Sequence, residues 1–264
     1  MLPAWEKRKN NSHKGQNGKV LVVGGSELYP GSPALVGISA LRAGADLVYV
    51  AAPEKVAWAI NALYPDLITI KLKGKKFLPK HVKDLLRFAD KAHVVVLGNG
   101  LGKDAGAFVR ACISRIKKPL VLDADAILPR MNMKGVLLTP HKKEFERLSE
   151  EKLTGNLKED VRIVQKAAGK NVLLVKGKAD IIANSEKYAF VKGGNPGMTK
   201  GGTGDVLAGL CAGLIAQGMV MFDAAVLASK INKAAGDGRA KKFGYSYLAS
   251  ELADDIKKIK KKWA

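Results

Sequence analysis

The sequence indicates chemistry most clearly at a glycine-rich turn that leads into a helical segment. The turn reads Asn195-Pro196-Gly197-Met198-Thr199-Lys200-Gly201-Gly202-Thr203-Gly204-Asp205-Val206-Leu207. Glycines allow backbone conformations that point consecutive N–H groups at one spot, and the start of a helix adds a partial positive charge. The pattern therefore predicts a hole for a developing phosphate anion.

Asp205 is the candidate catalytic residue because it lies in the first turn of that predicted helix. The field of the helix start would hold its side chain as a carboxylate, which could take the proton of a substrate hydroxyl. The simpler alternative is a capping aspartate. The catalytic interpretation is favoured because a cap does not require the four glycines found in the eight preceding residues. Lys200 would either contact a phosphate or be one more surface lysine.

Several other kinds of site are disfavoured by motifs that the sequence lacks. No Walker A pattern occurs, and no G-x-G-x-x-G follows a predicted strand, which argues against a Rossmann-type oxidoreductase. The histidines lack paired metal-ligand spacing, so no metal site is predicted. They lie at His13, His81, His93 and His141.

The elements that would position the turn alternate between short apolar runs and helical stretches. The run at 19–24 ends in glycine and is typical of a strand buried on both faces; helical spacing at 34–43 and a second strand at 47–52 follow. The same rhythm recurs further along the chain. Strands are predicted at 94–97, 119–122, 136–138 and 172–175, a hairpin at 181–183 and 188–191, and helices at 105–116, 142–148, 203–217 and 223–235.

This alternation predicts one α/β domain over residues 1–264, built on a single doubly wound, mainly parallel sheet flanked by helices. In such sheets ligands bind beyond the carboxyl ends of the strands, where the strand order reverses. Glycine or polar residues directly follow the carboxyl ends of the predicted strands. The expected site therefore lies at the edge of the sheet formed by those ends. These residues are Gly24-Gly25-Ser26, 98–102, Asp123, His141 and Lys176.

Composition and charge narrow the class of protein further. Apolar residues make up 47% of the chain, which is typical of a globular protein with a buried core. Residues 1–8 lack a secretory pattern, and the presence of two cysteines suits a reducing compartment. A cytoplasmic location without a membrane partner is therefore expected. The net charge of +21 could indicate a nucleic-acid platform. A solvated helix face is favoured instead, because the basic cluster at 257–262 lies along a predicted C-terminal helix whose apolar residues recur at helical spacing. They are Leu252, Ile256, Ile259 and Trp263.

The Gly-Gly-Thr-Gly-Asp turn and the helix after it resemble the ribokinase-like superfamily, which includes sugar and vitamin kinases. Further segments, in order from about residue 13 to about residue 250, narrow the resemblance to the ADP- or ATP-dependent NAD(P)H-hydrate dehydratases. They are His13-Lys14-Gly15, Gly18-Lys19-Val20, Gly24-Gly25-Ser26, Tyr29-Pro30-Gly31-Ser32-Pro33, Ala40-Leu41-Arg42-Ala43-Gly44-Ala45, Gly98-Asn99-Gly100-Leu101-Gly102, Leu122-Asp123-Ala124-Asp125-Ala126, Leu138-Thr139-Pro140-His141-Lys142-Lys143-Glu144, Val175-Lys176-Gly177 and the 195–207 turn.

The resemblance implies a repair reaction. NADH or NADPH with a hydrated nicotinamide ring would be dehydrated at the expense of ADP or ATP, the phosphoryl donor, with Mg²⁺ as its companion ion. Water is a poor leaving group, so the ring hydroxyl would first be phosphorylated, and the lone pair of the ring nitrogen would then expel phosphate. The alternative within the superfamily is a kinase acting on a vitamin precursor or a sugar.

Residue roles follow from the same resemblance. Asp205 would be the base on the ring hydroxyl. The anion hole would consist of the N–H groups of Gly202, Thr203 and Gly204. The adenine nucleotide would bind Lys176, Gly177, Lys178, Ala179, Asp180 and Gly204. The hydrated dinucleotide would be held by Ser32, Gly100, His141 and Asp205.

Some positions depart from the family pattern or keep two interpretations. Asp180 stands where threonine is usual, and its charge would repel phosphates unless a cation such as Lys178 neutralised it. Asp123 would either help a divalent cation or cap a helix, whereas Asp125 is expected to be a cap. Residues unusual for the family also stand at Ser32, Asp46 and Asn99.

The resemblance also implies partners. Family members often carry an epimerase domain ahead of the dehydratase; none is expected on this chain, so a separate epimerase is the expected functional partner. The chain is further expected to form a homo-oligomer.

Overall fold

The computed structural model describes residues 10–129 and 133–263. The expectation about residues 1–8 lies outside these residues. The side chain of Trp263 is likewise not described, so its predicted apolar position is not assessed. In the described part, the strands form one sheet of nine in the order β3-β2-β1-β4-β5-β6-β7-β8-β9. They are β1 Lys19–Val23, β2 Leu47–Pro53, β3 Ile68–Leu72, β4 Val94–Leu97, β5 Leu120–Leu122, β6 Val136–Leu138, β7 Val172–Val175, β8 Asp180–Ala183 and β9 Tyr188–Val191.

The predicted doubly wound architecture is confirmed. Strands β1 to β7 run parallel, while β8 and β9 add an antiparallel hairpin at one edge. The order reverses between β1 and β4, and their carboxyl ends therefore form the switch point where ligands bind in such sheets. The helices are α1 Gly31–Ala43, α2 Glu54–Leu63, α3 Val82–Ala89, α4 Gly106–Arg115, α5 Lys142–Ser149, α6 Leu157–Ala168, α7 Thr203–Ala216, α8 Met221–Phe243 and α9 Ala249–Trp263.

Two apolar cores cover the two faces of the sheet. Alternate residues of β1 enter opposite cores, Val20 and Val22 on one side and Leu21 and Val23 on the other. Helices α1, α2, α7, α8 and α9 cover the first face, and α3 to α6 cover the second. This burial on both faces explains why the central strands are continuous apolar runs.

Helices α1 and α7 pack closely because α7 carries glycines at the contact. A Cβ atom on Gly209 would lie 2.3 Å from the backbone oxygen of Val36, and one on Gly213 would lie 2.5 Å from Cβ of Ala43. The contact places the amino ends of both helices beside the switch point. No helix in residues 10–129 and 133–263 is long and apolar enough to cross a membrane.

Candidate active site

The carboxylate of Asp205, in the first turn of α7, is held by two side chains from other elements. Its Oδ1 accepts hydrogen bonds from Ser32 Oγ and Asn99 Nδ2, both at 2.7 Å. Burial, followed by the charge of Asp123, raises the pKa of Asp205 to about 6, although the two hydrogen bonds and Lys176 act to lower it. The predicted effect of the helix field alone was therefore incomplete: Asp205 is a carboxylate at neutral pH, but a stronger base than an exposed aspartate.

The backbone at the start of α7 has the form predicted for an anion hole. Gly202, the N-cap residue, has a φ of 93° and no side chain caps the helix. Within the described residues the N–H groups of Gly202, Gly204 and Asp205 have no hydrogen-bond acceptor, and that of Thr203 makes only a long 3.5 Å bond to Lys200 O. Unpaired N–H groups at a helix start bind anions readily.

A partly buried ion pair lies beside this helix start. Lys176 Nζ, after β7, is 2.9 Å from Asp123 Oδ1, after β5. Burial acts to lower the pKa of Lys176, but the charges of Asp123, Glu144 and Asp205 outweigh it and the pKa is raised. A Cβ atom on Gly204 would lie 3.3 Å from Lys176 Nζ, so the ammonium is adjacent to the unpaired N–H groups.

Of the two alternatives for Asp123, the helix cap is not seen, and the role as a cation ligand stays a prediction. Its Oδ1 also accepts from Thr139 Oγ1 at 2.8 Å, and its Oδ2 accepts from Asn99 Nδ2 at 2.9 Å. The side chain makes no cap bond to the short helix that follows it. Asp123 is therefore a buried counter-ion that fixes Lys176.

A cavity of about 780 Å³ opens in front of this cluster. A cavity of that size accommodates a ligand as large as a nucleotide. It is lined by most of the residues predicted to bind nucleotide, whereas Ser32 and Gly100 are not among its lining residues. The lining residues include His141, Lys176, Gly177, Lys178, Asp180, Gly193 to Pro196, Met198 to Lys200, Gly202 to Asp205, Asn232 and Lys233.

The turn after β4 and the start of α1 bring Gly100 and Ser32 together beside Asp205. Gly100 has a φ of 73°, and a Cβ atom there would lie 2.9 Å from Cβ of Tyr29 and 3.1 Å from Cβ of Ser32. Asp125 accepts a hydrogen bond from Gly102 N at 2.8 Å. Asp125, predicted to cap a helix, thus bonds the residue just before the short helix Lys103–Ala105 and anchors this neighbouring turn.

His141 starts α5 at the edge of the cavity. Its Nδ1 accepts from Glu144 N at 3.2 Å, and Glu144 Oε2 accepts from His141 N at 2.8 Å, which completes a capping box. A parallel bridge to Lys176 sets this residue beside the ion pair. The half-exposed ring thus has a structural role that the strand-end position did not indicate.

Asp180 is neutralised, but by a different lysine from the one nearest in sequence. Its carboxylate lies 3.2 Å from Lys233 Nζ and accepts hydrogen bonds from Ser229 Oγ at 2.7 Å and Gly177 N at 2.9 Å. Lys233, in α8, also donates to the backbone oxygen of Gly177 at 3.0 Å. The role suggested for Lys178 was wrong, and Asp180 holds the loop in shape.

Lys200 is exposed, as one of its two predicted alternatives states, and it also lines the cavity, so contact with a phosphate stays a prediction. Its Nζ donates to the backbone oxygen of Tyr247 at 2.8 Å and to that of Tyr245. Lys200 therefore fastens the glycine-rich turn to the segment before α9.

Sequence reasoning missed two functional positions. Asn99 was noted only as unusual for the family, yet it contacts both carboxylates of the site. Asn232 of α8 lines the cavity, and its Nδ2 donates to Thr203 O at 3.4 Å. The position of Asn99 at a strand end was a usable signal, whereas nothing within α8 distinguished Asn232.

Comparisons with known proteins match this chain to a family. Residues 20–258 fit the family model described as NAD(P)H-hydrate dehydratase. A bifunctional NAD(P)H-hydrate repair enzyme of Methanothermobacter thermautotrophicus is 41% identical over 96% of the chain, which covers 51% of that protein. An ADP-dependent (S)-NAD(P)H-hydrate dehydratase of Nitrosopumilus maritimus is 37% identical over 96% of the chain and 92% of its own length. The chain spans about half the length of the first bifunctional relatives it matches.

Solved structures agree. An ADP/ATP-dependent NAD(P)H-hydrate dehydratase of Bacillus subtilis, co-crystallised with ATP and Mg²⁺, has a TM-score of 0.84 and 25% identity, covering 100% of this chain and 99% of that one. A ribokinase of Thermotoga maritima has a TM-score of 0.54 at 13% identity, covering 91% of this chain and 99% of that one. The second match concerns the fold alone and confirms the ribokinase-like architecture.

Proposed function

The chain belongs to the NAD(P)H-hydrate dehydratase family, and we propose that it dehydrates hydrated NADH or NADPH while an adenine nucleotide is hydrolysed. The observation that carries the proposal is the position of Asp205. Asp205 lines the cavity and bonds Ser32, which adjoins Gly100, beside unpaired helix N–H groups and the partly buried Lys176. A phosphoryl donor and a hydroxyl acceptor could therefore meet at one carboxylate.

The proposed reaction begins with phosphoryl transfer. The ring hydroxyl oxygen forms a bond to the terminal phosphorus as the bond from that phosphorus to the nucleotide oxygen breaks, and Asp205 takes the hydroxyl proton. The N–H groups of Gly202, Thr203 and Gly204 with Lys176 stabilise the transferring group. The lone pair of the ring nitrogen then expels phosphate, and loss of a proton from the adjacent carbon restores the reduced ring.

The two ligands would occupy opposite sides of Asp205. The adenine nucleotide would lie in the cavity against the loop 176–180, with its phosphates toward Gly204. The hydrated dinucleotide would approach past Ser32 and Gly100, with His141 at the cavity rim. Asp180 supports this arrangement by shaping the nucleotide loop, and its buried pairing with Lys233 removes the expected repulsion of phosphates.

We propose ADP or ATP as the donor, with Mg²⁺ carried on its phosphates. The names of two relatives support adenine nucleotides: one is ADP-dependent and one was crystallised with ATP and Mg²⁺. No group of three or more His, Cys, Asp or Glu side chains in the described residues could hold a metal ion unaided. Mg²⁺ is commonly held by nucleotide phosphates and water, so chelation should abolish turnover and added Mg²⁺ should restore it.

Recovery of reduced dinucleotide tests the proposed function. Purified protein is mixed with hydrated NADH or hydrated NADPH and with ADP, ATP or no nucleotide, and absorbance of the restored ring is followed. Recovery with at least one nucleotide, and none without, is expected. Folded protein that gives no recovery with either nucleotide would contradict the proposal.

The alternative activity, a kinase with a stable product, is distinguished by the fate of the phosphoryl group. The dehydratase releases inorganic phosphate in proportion to restored ring, whereas a kinase of a sugar or vitamin precursor accumulates a phosphorylated compound. The bifunctional relatives support pairing with a second repair activity, which we propose to be a separate epimerase. Without it, recovery from a mixture of hydrate epimers should stop partway.

A further inference from the structure

The side chain of Asn99, two residues after the end of β4, is completely buried between the two carboxylates of the site. Its Nδ2 donates to Asp205 Oδ1 at 2.7 Å and to Asp123 Oδ2 at 2.9 Å. Its Oδ1 has no hydrogen-bond donor within the described residues. The amide therefore uses both N–H bonds on carboxylates and leaves its acceptor unpaired.

The orientation of this amide is set by electrostatics. Rotating it by half a turn would place the amide oxygen against two carboxylate oxygens. An unpaired buried oxygen is unfavourable, and folded proteins pair nearly all such groups. The backbone oxygen of Asn99 accepts from Gly25 N at 2.9 Å, a bond that any residue could make. This turn contact does not use the side chain, whose amide hydrogen-bonds, among the described residues, to Asp123 and Asp205 alone.

Few charged groups face Asp205 from the elements packed around it. They are Asp123, after β5, and Lys176, after β7, while Glu144 of α5 acts on Lys176. Ser32, in α1, is the other donor to Asp205 Oδ1, and no donor in the described part of the chain reaches Oδ2. Asn99 is thus the neutral group that separates the two negative charges.

We propose that Asn99 is a positioning residue for the Asp205 base: its amide keeps that carboxylate ionised beside Asp123 and leaves Oδ2 available to the substrate hydroxyl. This inference rests on the base role proposed above. Removing the amide donor makes protonation of Asp205 easier, so the pH at which the base is lost rises. A merely structural contribution would lower activity by the same factor at every pH.

The test compares pH profiles of kcat/KM for the wild type, Asn99→Leu and the isosteric Asn99→Asp. The rising limb of the wild type is expected near pH 6. It should move upward by about one pH unit in Asn99→Leu, and further in Asn99→Asp, where a third acidic group joins the cluster. Asn171→Leu, at the opposite end of the sheet, makes the same change at a partly buried asparagine and should leave the limb in place.

A second readout does not require activity. Protein with ¹³C-labelled aspartate carboxyl groups is titrated by NMR, and the signal of Asp205 is assigned by its absence in Asp205→Asn. An upward shift of this titration in Asn99→Leu or Asn99→Asp supports the inference, even if the hydrate assay fails and the proposed function is abandoned. An unchanged titration in both folded variants overturns the inference, even if the wild type is an active dehydratase.

Discussion

The starts of α5 and α7 lie on the same cavity and are built in opposite ways. Each has an acid in its first turn, Glu144 in α5 and Asp205 in α7. In α5 the Glu144 carboxylate accepts a hydrogen bond from the backbone N–H of His141, and the His141 ring accepts one from the backbone N–H of Glu144. In α7 the acid is bonded by side chains from other elements and the helix N–H groups remain unpaired.

This difference separates a helix start that stabilises the fold from one that is available to a ligand. A closed capping box satisfies N–H groups internally and contributes to stability. An open start with a glycine N-cap forgoes that contribution but can bind a phosphate. A first-turn acid therefore indicates function only where its partners are known.

The largest expected effect concerns the two acids. Asp205→Asn should reduce turnover by about 10²- to 10⁴-fold because the base is lost, while nucleotide binding is retained. The matched variant Glu144→Gln keeps a group that can close the capping box and should stay close to wild type. Stopped-flow or steady-state rates, with calorimetric nucleotide titration, measure both. Similar losses in the two variants would erase the distinction between the helix starts.

The next effect concerns the open turn. Gly202→Ala places a Cβ atom 2.7 Å from Leu35 Cδ1 and 2.9 Å from Ala249 Cβ at a residue with positive φ, so the turn must shift. Misplaced anion-hole donors should lower kcat by about 10²-fold. The control is Gly201→Ala, since no heavy atom of the described residues, its chain neighbours aside, lies within 4 Å of the added Cβ. Equal rates for both variants would show that the geometry of Gly202 is unimportant.

Asp205 should also reduce the stability of the fold at neutral pH. Its pKa is about 6 in the folded protein against a reference of 3.8, so the folded state binds more protons between these values and the free energy of unfolding falls as pH rises through them. The contribution is about 3 kcal/mol at most. Asp205→Asn should therefore be more stable than wild type at about pH 8, with the gain vanishing near pH 4.

Urea unfolding of Asp205→Asn and wild type at both pH values provides the measurement. Glu144→Gln serves again as the control at the closed helix start. A gain in Asp205→Asn that is the same at both pH values would contradict the linkage to Asp205.

The smallest effect should separate capping from ligand contact at His141. His141→Ala should lose about 1 kcal/mol of stability, whereas His141→Asn retains a good N-cap and should lose little. If the ring also contacts dinucleotide, His141→Asn raises KM without lowering stability. Thermal unfolding and KM for the hydrate are the two readouts. An Ala variant as stable as the Asn variant would argue against the capping box.

Much of the fold could be predicted because its central strands are buried on both faces and appear as apolar runs. The strand of 136–138 and that of 172–175 have the predicted bounds. The hairpin at one edge was also predicted, but β3 at the other edge and helix α6 were not. The edge strand β3 contains a lysine and an exposed isoleucine, and α6 is rich in charge, so neither produces a clear apolar signal. The helix predicted at 223–235 in fact continues to Phe243. Its later turns are polar, and they therefore gave no apolar periodicity from which to predict them.

The site was predictable where its residues are contiguous in sequence. It was not predictable where the partner of a side chain depends on how distant elements pack together. Residues 202–205 are adjacent in sequence, so the open helix start could be proposed directly. Asn99, Asp123 and Lys176 come from three strand ends, and their bonds depend on the order of the strands in the sheet. The choice of Lys233 over Lys178 as the partner of Asp180 likewise depends on where α8 packs.

The glycines of α7 have a consequence beyond close packing. Ser32 and Asp205 occupy the first turns of α1 and α7, and the separation of these two helices is set one to two turns further on, where Gly209 and Gly213 meet α1. The hydrogen bond between Ser32 and Asp205 is thus preorganised by positions that take no part in chemistry. A methyl group added at either glycine would push α1 and α7 apart. The two first turns would then separate, and the distance between Ser32 Oγ and Asp205 Oδ1 would increase.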